Sequence, residues 1–352
     1  MNKKILFIAN QVKDRSPAQR FRFEQYFEYL SSNGYDCELA HLLTANEAKI
    51  FYSKGKAMSK AWIVLKSFFR RYRQCSNANK YAIVFIQREA FITGTTFFER
   101  MLRRSKAKMI SDINKKFAFL KNPDKTASLI KMADLIIAGN AYLADYAKNF
   151  NTNIIIIPTT IDTNEYKPDY QYKKDKPIII GWSGSFTTIQ HFKYAVPALI
   201  KLQQKYGNSI LIKVIGDAGY KNEELNIISL DWNKRDELKE LNSFHLGIMP
   251  LPDDEWSKGK CGLKGLQYMS LGIPTIMSPV GVNCEIINDG VNGFLANDEV
   301  EWIDKITLLI ESKELREKLG HQSRQTVIER YSVEAQRDAY LNCFNKLLAQ
   351  GK

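Results

Sequence analysis

The chain is poor in cysteine, in histidine and in long apolar runs, and each shortage removes a class of function. Five cysteines in 352 residues, at 37, 75, 261, 284 and 343, form no close pair and no metal-ligand spacing. An odd, scattered set of thiols predicts reduced side chains in the cytoplasm, not a secreted disulfide framework. The longest apolar stretches, IIIIP at 154–158 and WIVL at 62–65, fall far short of the ~20 residues a membrane-spanning helix needs. The N-terminal ILFIA is too short for a signal-peptide core and reads as a buried strand. No Asp-x-Asp motif, internal repeat or low-complexity tract occurs. Asp253-Asp254 in PLPDDEW could bind a metal, but the setting reads more readily as an acidic turn.

What is present points to two soluble domains. A length of 352 residues exceeds one ordinary core, and 45% hydrophobic with 25% charged residues is a globular composition. The net charge of +13 is lopsided. Residues 1–165 hold 27 Lys/Arg against 14 Asp/Glu, and residues 166–352 hold 24 against 24. No acidic residue stands between Glu47 and Glu89. Within that gap, AMSKAWIVLKSFFRRYRQ (57–74) interleaves aromatic and apolar side chains with Lys60, Lys66, Arg70, Arg71 and Arg73. Its larger apolar residues, at 62, 65, 68, 69 and 72, recur near one helical face. Such a helix either packs on a core with a solvated basic side or lies on an anionic membrane. Nucleic acid ranks lower, because no nucleic-acid module is recognisable and the second half is neutral.

Apolar runs alternate with amphipathic segments along the whole chain. Strands are predicted at 4–10, 35–42, 81–87, 108–113, 134–139 and 154–158, then at 177–184, 210–216, 226–230, 244–251 and 274–279. Helical segments lie between them, one of them starting near 189, and a long helical tail closes the chain. Strand–helix alternation implies α/β architecture with parallel sheets covered on both faces. The polar stretch 163–176 is the expected boundary, giving domains 1–165 and 166–328 with a helix at 329–352. Two doubly wound halves joined there would form a ligand cleft outside the carboxyl ends of their strands.

Two segments carry the chemistry. GWSGSFTT (181–188) follows a strand and precedes a helix, so Gly184 allows close backbone approach, while Ser185, Thr187 and Thr188 either cap the turn or donate to a phosphate. Lys260 and Lys264 lie four apart where a helix is predicted to begin. A helix start suits an anion, and two ammonium groups there make a diphosphate a plausible ligand. The alternative is a solvated helix edge.

Together, IIIIPTTIDTNEYKP (154–168), GWSGSFTT and LQYMSLGIPTIMSPVGVNCEIINDGVNGFLA (266–296) resemble the GT-B glycosyltransferases of the retaining, family-4-like kind. The resemblance implies two facing Rossmann-like domains with a central cleft and a C-terminal helix crossing back. It implies glycosyl transfer from a nucleoside-diphosphate sugar to a lipid-linked or surface-polysaccharide acceptor. No cofactor and no metal is implied. The expected partners are the donor, the acceptor and an anionic membrane surface met by residues 49–73, with no nucleic acid. A peripheral position on the inner face of a membrane follows.

The family often carries two glutamates eight positions apart, where this chain has Gly259 and Gln267. Gln267 could still hydrogen-bond a ribose, and Lys260 with Lys264 would replace the basic pair that relatives place near the GWSGS-like turn. Asp112, at the end of the fourth predicted strand, stands where relatives often place a histidine facing the sugar; it could act in catalysis by orienting the sugar or the acceptor hydroxyl, or it could simply cap a helix. Arg20, Arg22 and Arg88, in loops after the first and third strands, are candidates for the acceptor. A GT-B enzyme with a soluble acceptor and a non-catalytic nucleotide-sugar-binding protein remain alternatives.

Overall fold

The structure is a computed structural model that describes residues 3–113, 123–169, 171, 177–185 and 187–350. Parts of the expected boundary (170 and 172–176) and Phe186 of GWSGSFTT lie outside the described residues. The chain divides into two compact units, Met1–Thr159 with Gln336–Lys352, and Thr160–Ala335.

Each unit is a six-stranded, all-parallel sheet. In the first, β1 (Lys4–Ala9), β2 (Asp36–His41), β3 (Ile83–Gln87), β4 (Lys108–Ile113), β5 (Leu135–Ala138) and β6 (Ile154–Ile156) stand in the order β2-β1-β3-β4-β5-β6. In the second, β7 (Ile178–Ser183), β8 (Ile210–Ile215), β9 (Ile227–Leu230), β10 (Leu246–Met249), β11 (Thr275–Met277) and β12 (Phe294–Leu295) are ordered β12-β11-β10-β7-β8-β9. Both orders reverse next to the first strand of the unit, which puts the ligand-binding edge at the carboxyl ends there. Continuous apolar runs become strands because both faces are covered: IVFIQ in β3 is buried throughout. Only β12, two residues long, escapes the sequence reading.

Side chains alternate between two packed layers on the first sheet. Leu6, Ile8, Val84 and Ile86 join one core with Phe91, Phe98 and Leu102. On β1 and β3, Phe7 instead stacks on Phe23 at 5.1 Å, and Phe85 meets Phe23 in a tilted contact at 5.5 Å. Phe344 of the C-terminal helix Val333–Ala349 meets Phe85 at 6.4 Å. The predicted helical tail is two helices, Lys313–Thr326 and Val333–Ala349. Extended backbone at Ser332 interrupts it, and the Ser332 hydroxyl accepts from the Ala335 N–H at 3.0 Å to start the second helix. Near 189 the chain forms a 3-10 turn, Ile189–Tyr194, and the α-helix Val196–Tyr206 begins only beside Pro197.

The helix Ala57–Ser76 is turned opposite to what its apolar pattern suggests for a core helix. Ile63, Ser67, Arg71 and Cys75 are buried, while Met58, Trp62, Leu65, Phe69 and Tyr72 are 88%, 57%, 45%, 63% and 48% exposed. Ile63, Val64 and Phe68 pack on the core from the inward face, and two arginines fasten it there. Arg71, fully buried, donates to the Ala40 and Ala9 carbonyls at 2.9 and 2.8 Å, at the carboxyl ends of β2 and β1. Burial lowers its guanidinium to about 10, still a cation at neutral pH. Arg70 grips both oxygens of Glu47 at 2.8 and 3.0 Å, and that bond holds the Glu47 carboxyl down at about 2. Glu47 closes a capping box with Thr44.

Candidate functional site

In the second unit, chemistry gathers where β7 ends. Trp182, fully buried on β7, presents its ring face to Lys264, whose Nζ lies 3.9 Å from the ring centroid. Such cation–π contacts hold an ammonium without neutralising it. Past the turn, His191 sits on the 3-10 segment with its ring 4.9 Å from that of Trp256. Lys260 Nζ is 4.4 Å over Trp256 and 2.9 Å from His191 Nε2. Burial, then the Lys260 and Lys264 ammoniums, pull the His191 imidazole down to about 4. It is therefore neutral at pH 7, and Nε2 accepts from Lys260. The remaining nitrogen, Nδ1, is buried without a hydrogen-bond partner.

The two lysines do not share one helix start. A short helix, Glu255–Lys258, ends before Gly259, and Leu263–Ser270 begins after Gly262. Lys260 lies in the break, and Lys264 is the second residue of the following helix. Gly262 takes φ +66° to enter it, a conformation where a side chain would strain and would also strike Ile286. No side chain caps this helix, so its first turn keeps the positive end of the dipole toward the lysines.

The GWSGSFTT turn is internally braced. The Ser185 N–H donates to Thr188 Oγ1 at 3.0 Å, and the Ser185 and Thr187 hydroxyls meet at 2.9 Å. A Cβ on Gly184 would overlap Trp182 and Thr188, so the glycine is required by close packing. Ser183 is held by the buried Tyr268, whose hydroxyl accepts the Ser183 N–H at 2.7 Å. Asp254 caps the short helix at Ser257 N–H, 2.6 Å, and Asp253 pairs with Lys258 at 3.1 Å, so both carboxylates have local roles. Among the described residues no three His, Cys, Asp or Glu side chains cluster as a metal site would require.

Gln267 belongs to a separate network. Its Nε2 donates to Tyr166 Oη and to Glu237 Oε1, both at 3.1 Å. Tyr166 and Trp232 also donate to Glu237, at 3.0 and 3.1 Å. Gln267 thus turns both amide hydrogens toward Tyr166 and Glu237. Glu237 was invisible to sequence reading, because nothing in NKRDELKEL marks it as the partner of a residue 30 positions on.

In the first unit, Asp112 and Arg22 come together. Arg22 Nη2 reaches Asp112 Oδ1 at 2.5 Å and Nε reaches it at 3.2 Å, with side chains 2% and 0% exposed. Arg22 also donates to the Ile157 carbonyl, and the Tyr340 hydroxyl donates to the Arg22 carbonyl at 2.5 Å. Arg20 is buried, its guanidinium 4.4 Å over the Phe21 ring. Arg88 follows β3 with φ +65°, and its N–H donates to the Asp112 carbonyl at 3.0 Å. Asp14, in the loop after β1, has the same handedness at φ +65°. Non-glycine residues in this region store strain of the kind found at functional sites, and these two mark the carboxyl ends of β1 and β3. That loop is pinned by Gln19, which donates to the Gln11 carbonyl and Glu24 at 2.9 Å each. Burial raises the Glu24 carboxyl above its usual range.

Comparison with known proteins agrees with this layout. Residues 177–312 match the family described as Glycosyl transferases group 1. The chain is 24% identical over 201 residues to the N-acetyl-alpha-D-glucosaminyl L-malate synthase of Bacillus anthracis, covering 54% of this chain and 51% of that protein. It is 21% identical over 283 residues to the poly(ribitol-phosphate) alpha-N-acetylglucosaminyltransferase of Staphylococcus aureus, covering 76% and 51%. The chain spans about half the length of these curated relatives. The Anabaena HepE structure in complex with UDP-glucose superposes with a TM-score of 0.70 at 13% identity, over 97% of this chain and 99% of that one. At that identity the likeness establishes the fold, two Rossmann-like domains of GT-B type. The resemblance read from the sequence agrees with the fold, and over residues 177–312 with the matched family.

Proposed function

We propose that this chain, whose second unit is a glycosyl transferases group 1 domain, moves a sugar from a nucleoside-diphosphate sugar to an anionic, lipid-linked or polysaccharide acceptor. The observation that carries this is the pair Lys260 and Lys264, gathered by His191, Trp256 and Trp182 beside the start of helix Leu263–Ser270. Two ammonium groups beside a helix start suit a diphosphate.

The reaction is transfer with retention. The bond from the anomeric carbon to the diphosphate oxygen breaks, and a bond to the acceptor oxygen forms on the same face. The hydroxyl proton passes to the departing diphosphate. Lys260 and Lys264 neutralise charge developing on that leaving group, so the chemistry needs no protein base and no divalent metal. Gly184, Ser185 and Thr187 border the donor, and Gln267 Oε1 accepts from a ribose hydroxyl. Arg20 and Arg88 meet the acceptor. The Asp112–Arg22 pair acts by holding the loop after β1 in place.

Both curated relatives are named for alpha-N-acetylglucosaminyl transfer, and the acceptors in their names, malate and a polyol phosphate, are anions. That favours an N-acetylglucosamine donor and an anionic acceptor, and the basic surplus of residues 1–165 suits the latter. The protein would work in the cytoplasm against the inner membrane face, with residues 49–73 toward the lipid.

Thermal shift with UDP, GDP and dTDP tests the donor site, followed by transfer from UDP-N-acetylglucosamine with the anomer read by NMR. The expected result is a raised midpoint with one diphosphate, no such rise in Lys264→Ala, and an α-linked product. Stabilisation without transfer to any acceptor would make this a nucleotide-sugar-binding protein, which Gly259 in place of a glutamate would permit. No response to any diphosphate would end the proposal.

A further inference from the structure

The first unit presents a surface that glycosyl transfer does not explain. On helix Ala57–Ser76 the exposed residues Met58, Trp62, Leu65, Phe69 and Tyr72 follow one another at intervals of four, three, four and three. That spacing draws one straight apolar stripe along the outer side of the helix. Lys66 and Arg73 flank it, both exposed, and Lys66 Nζ lies 5.4 Å over the Trp62 ring. Beside the C-terminal half of the stripe opens a cleft of about 700 Å³, lined by Phe69, Arg70, Arg73, Lys4 and Lys80 against one carboxylate, Glu38. Glu38 is engaged by the Tyr81 hydroxyl at 2.5 Å.

We infer that the outer face of helix Ala57–Ser76 docks on an anionic bilayer, its stripe entering the headgroup boundary while the adjoining cleft receives a lipid phosphate. This deepens the membrane-facing part of the function above and rests on it for its biological purpose. The inward face has already fixed the helix through Arg71 and Arg70, so the apolar side chains are presented outward by the fold itself. Charge complementarity selects the occupant. The helix and its approaches carry no acidic residue between Glu47 and Glu89, and although Arg70 and Lys4 in the cleft pair with Glu47 and Asp36, Arg73 and Lys80 add positive charge beside the stripe. An anionic headgroup answers that surface, and a Trp and a Tyr toward the two ends of the stripe suit the interface between hydrocarbon and water. A second copy of this helix would bring like charges together.

Co-sedimentation of the full chain with phosphatidylcholine vesicles, with and without phosphatidylglycerol, tests this at about 0.1 M salt, where surface charge is only partly screened. Binding is expected to the anionic vesicles alone. Trp62→Ser with Phe69→Ser should abolish it, and Arg73→Ala should weaken it about fivefold. These residues are exposed, and an unchanged unfolding midpoint verifies that the variants fold. Equal binding to neutral vesicles, or no loss in the double variant, would overturn the inference. So would a dimer in the parent that the double variant dissolves, because the stripe would then be a self-interface. Donor-induced stabilisation is read separately: vesicle binding without it leaves the membrane face standing and removes the catalytic reading.

Discussion

The two units handle positive charge in opposite ways. The first holds the whole net excess, yet its buried cations are tied down. Arg22 is paired with Asp112, Lys125 is bonded to Glu89 and two carbonyls, and Arg71 is spent on strand ends. The second unit, with 21 Lys/Arg against 25 Asp/Glu, is slightly acidic, but it sets Lys260 and Lys264 against indoles and an imidazole. Under the proposed function, net charge would mark the domain that meets a charged surface, and the way a cation is held would mark the place that meets a ligand.

The sharpest way to break this contrast lies in the first unit. Asp112→Ala leaves Arg22 buried without its carboxylate and should cost about 3–5 kcal/mol, read by chemical denaturation. Arg22→Met with Asp112→Leu should recover much of that loss. In the second unit, Lys264→Ala should instead leave folding nearly unchanged and weaken diphosphate binding by about 1.5–3 kcal/mol, measured by calorimetry. A large stability loss there would show that the lysine is structural.

Gln267→Glu restores the family's usual residue but sets a second carboxylate against Glu237, where an amide now donates at 3.1 Å. It should destabilise by about 1–3 kcal/mol, and adding Glu237→Gln should reverse the loss. The smallest expected effect concerns pH. His191 is near 4 when folded against 6.5 as its ordinary value, so below pH 6.5 the unfolded chain binds a proton the folded chain refuses. Stability should fall as pH drops from 6.5 toward 4, and His191→Gln should flatten that slope. Unfolding midpoints across this range decide it.

Eleven of the strands were legible because a buried parallel strand writes itself as a continuous apolar run. The two-residue β12 has no room for such a signal. The break between Lys260 and Lys264 depends on Gly262 taking a left-handed conformation, which a glycine permits but does not announce. Side-chain pairings were the least legible part. Arg22 and Asp112 stand 90 positions apart, and each was read alone as a contact for the acceptor or sugar. Local periodicity carries no record of which distant residue a side chain will meet. On helix Ala57–Ser76 the pattern found the amphipathic character, and Arg71 fastens the side that faces in.

That arginine has an evolutionary consequence. Because the helix is seated by Arg71 and Arg70, its outer residues contribute little to folding. They are free to drift, one at a time, without passing through an unstable intermediate sequence. If that face is a docking surface, descendants of this chain could trade it for another while the seat stays fixed, so sequence variation should concentrate at 58, 62, 65, 69 and 72 and spare 71.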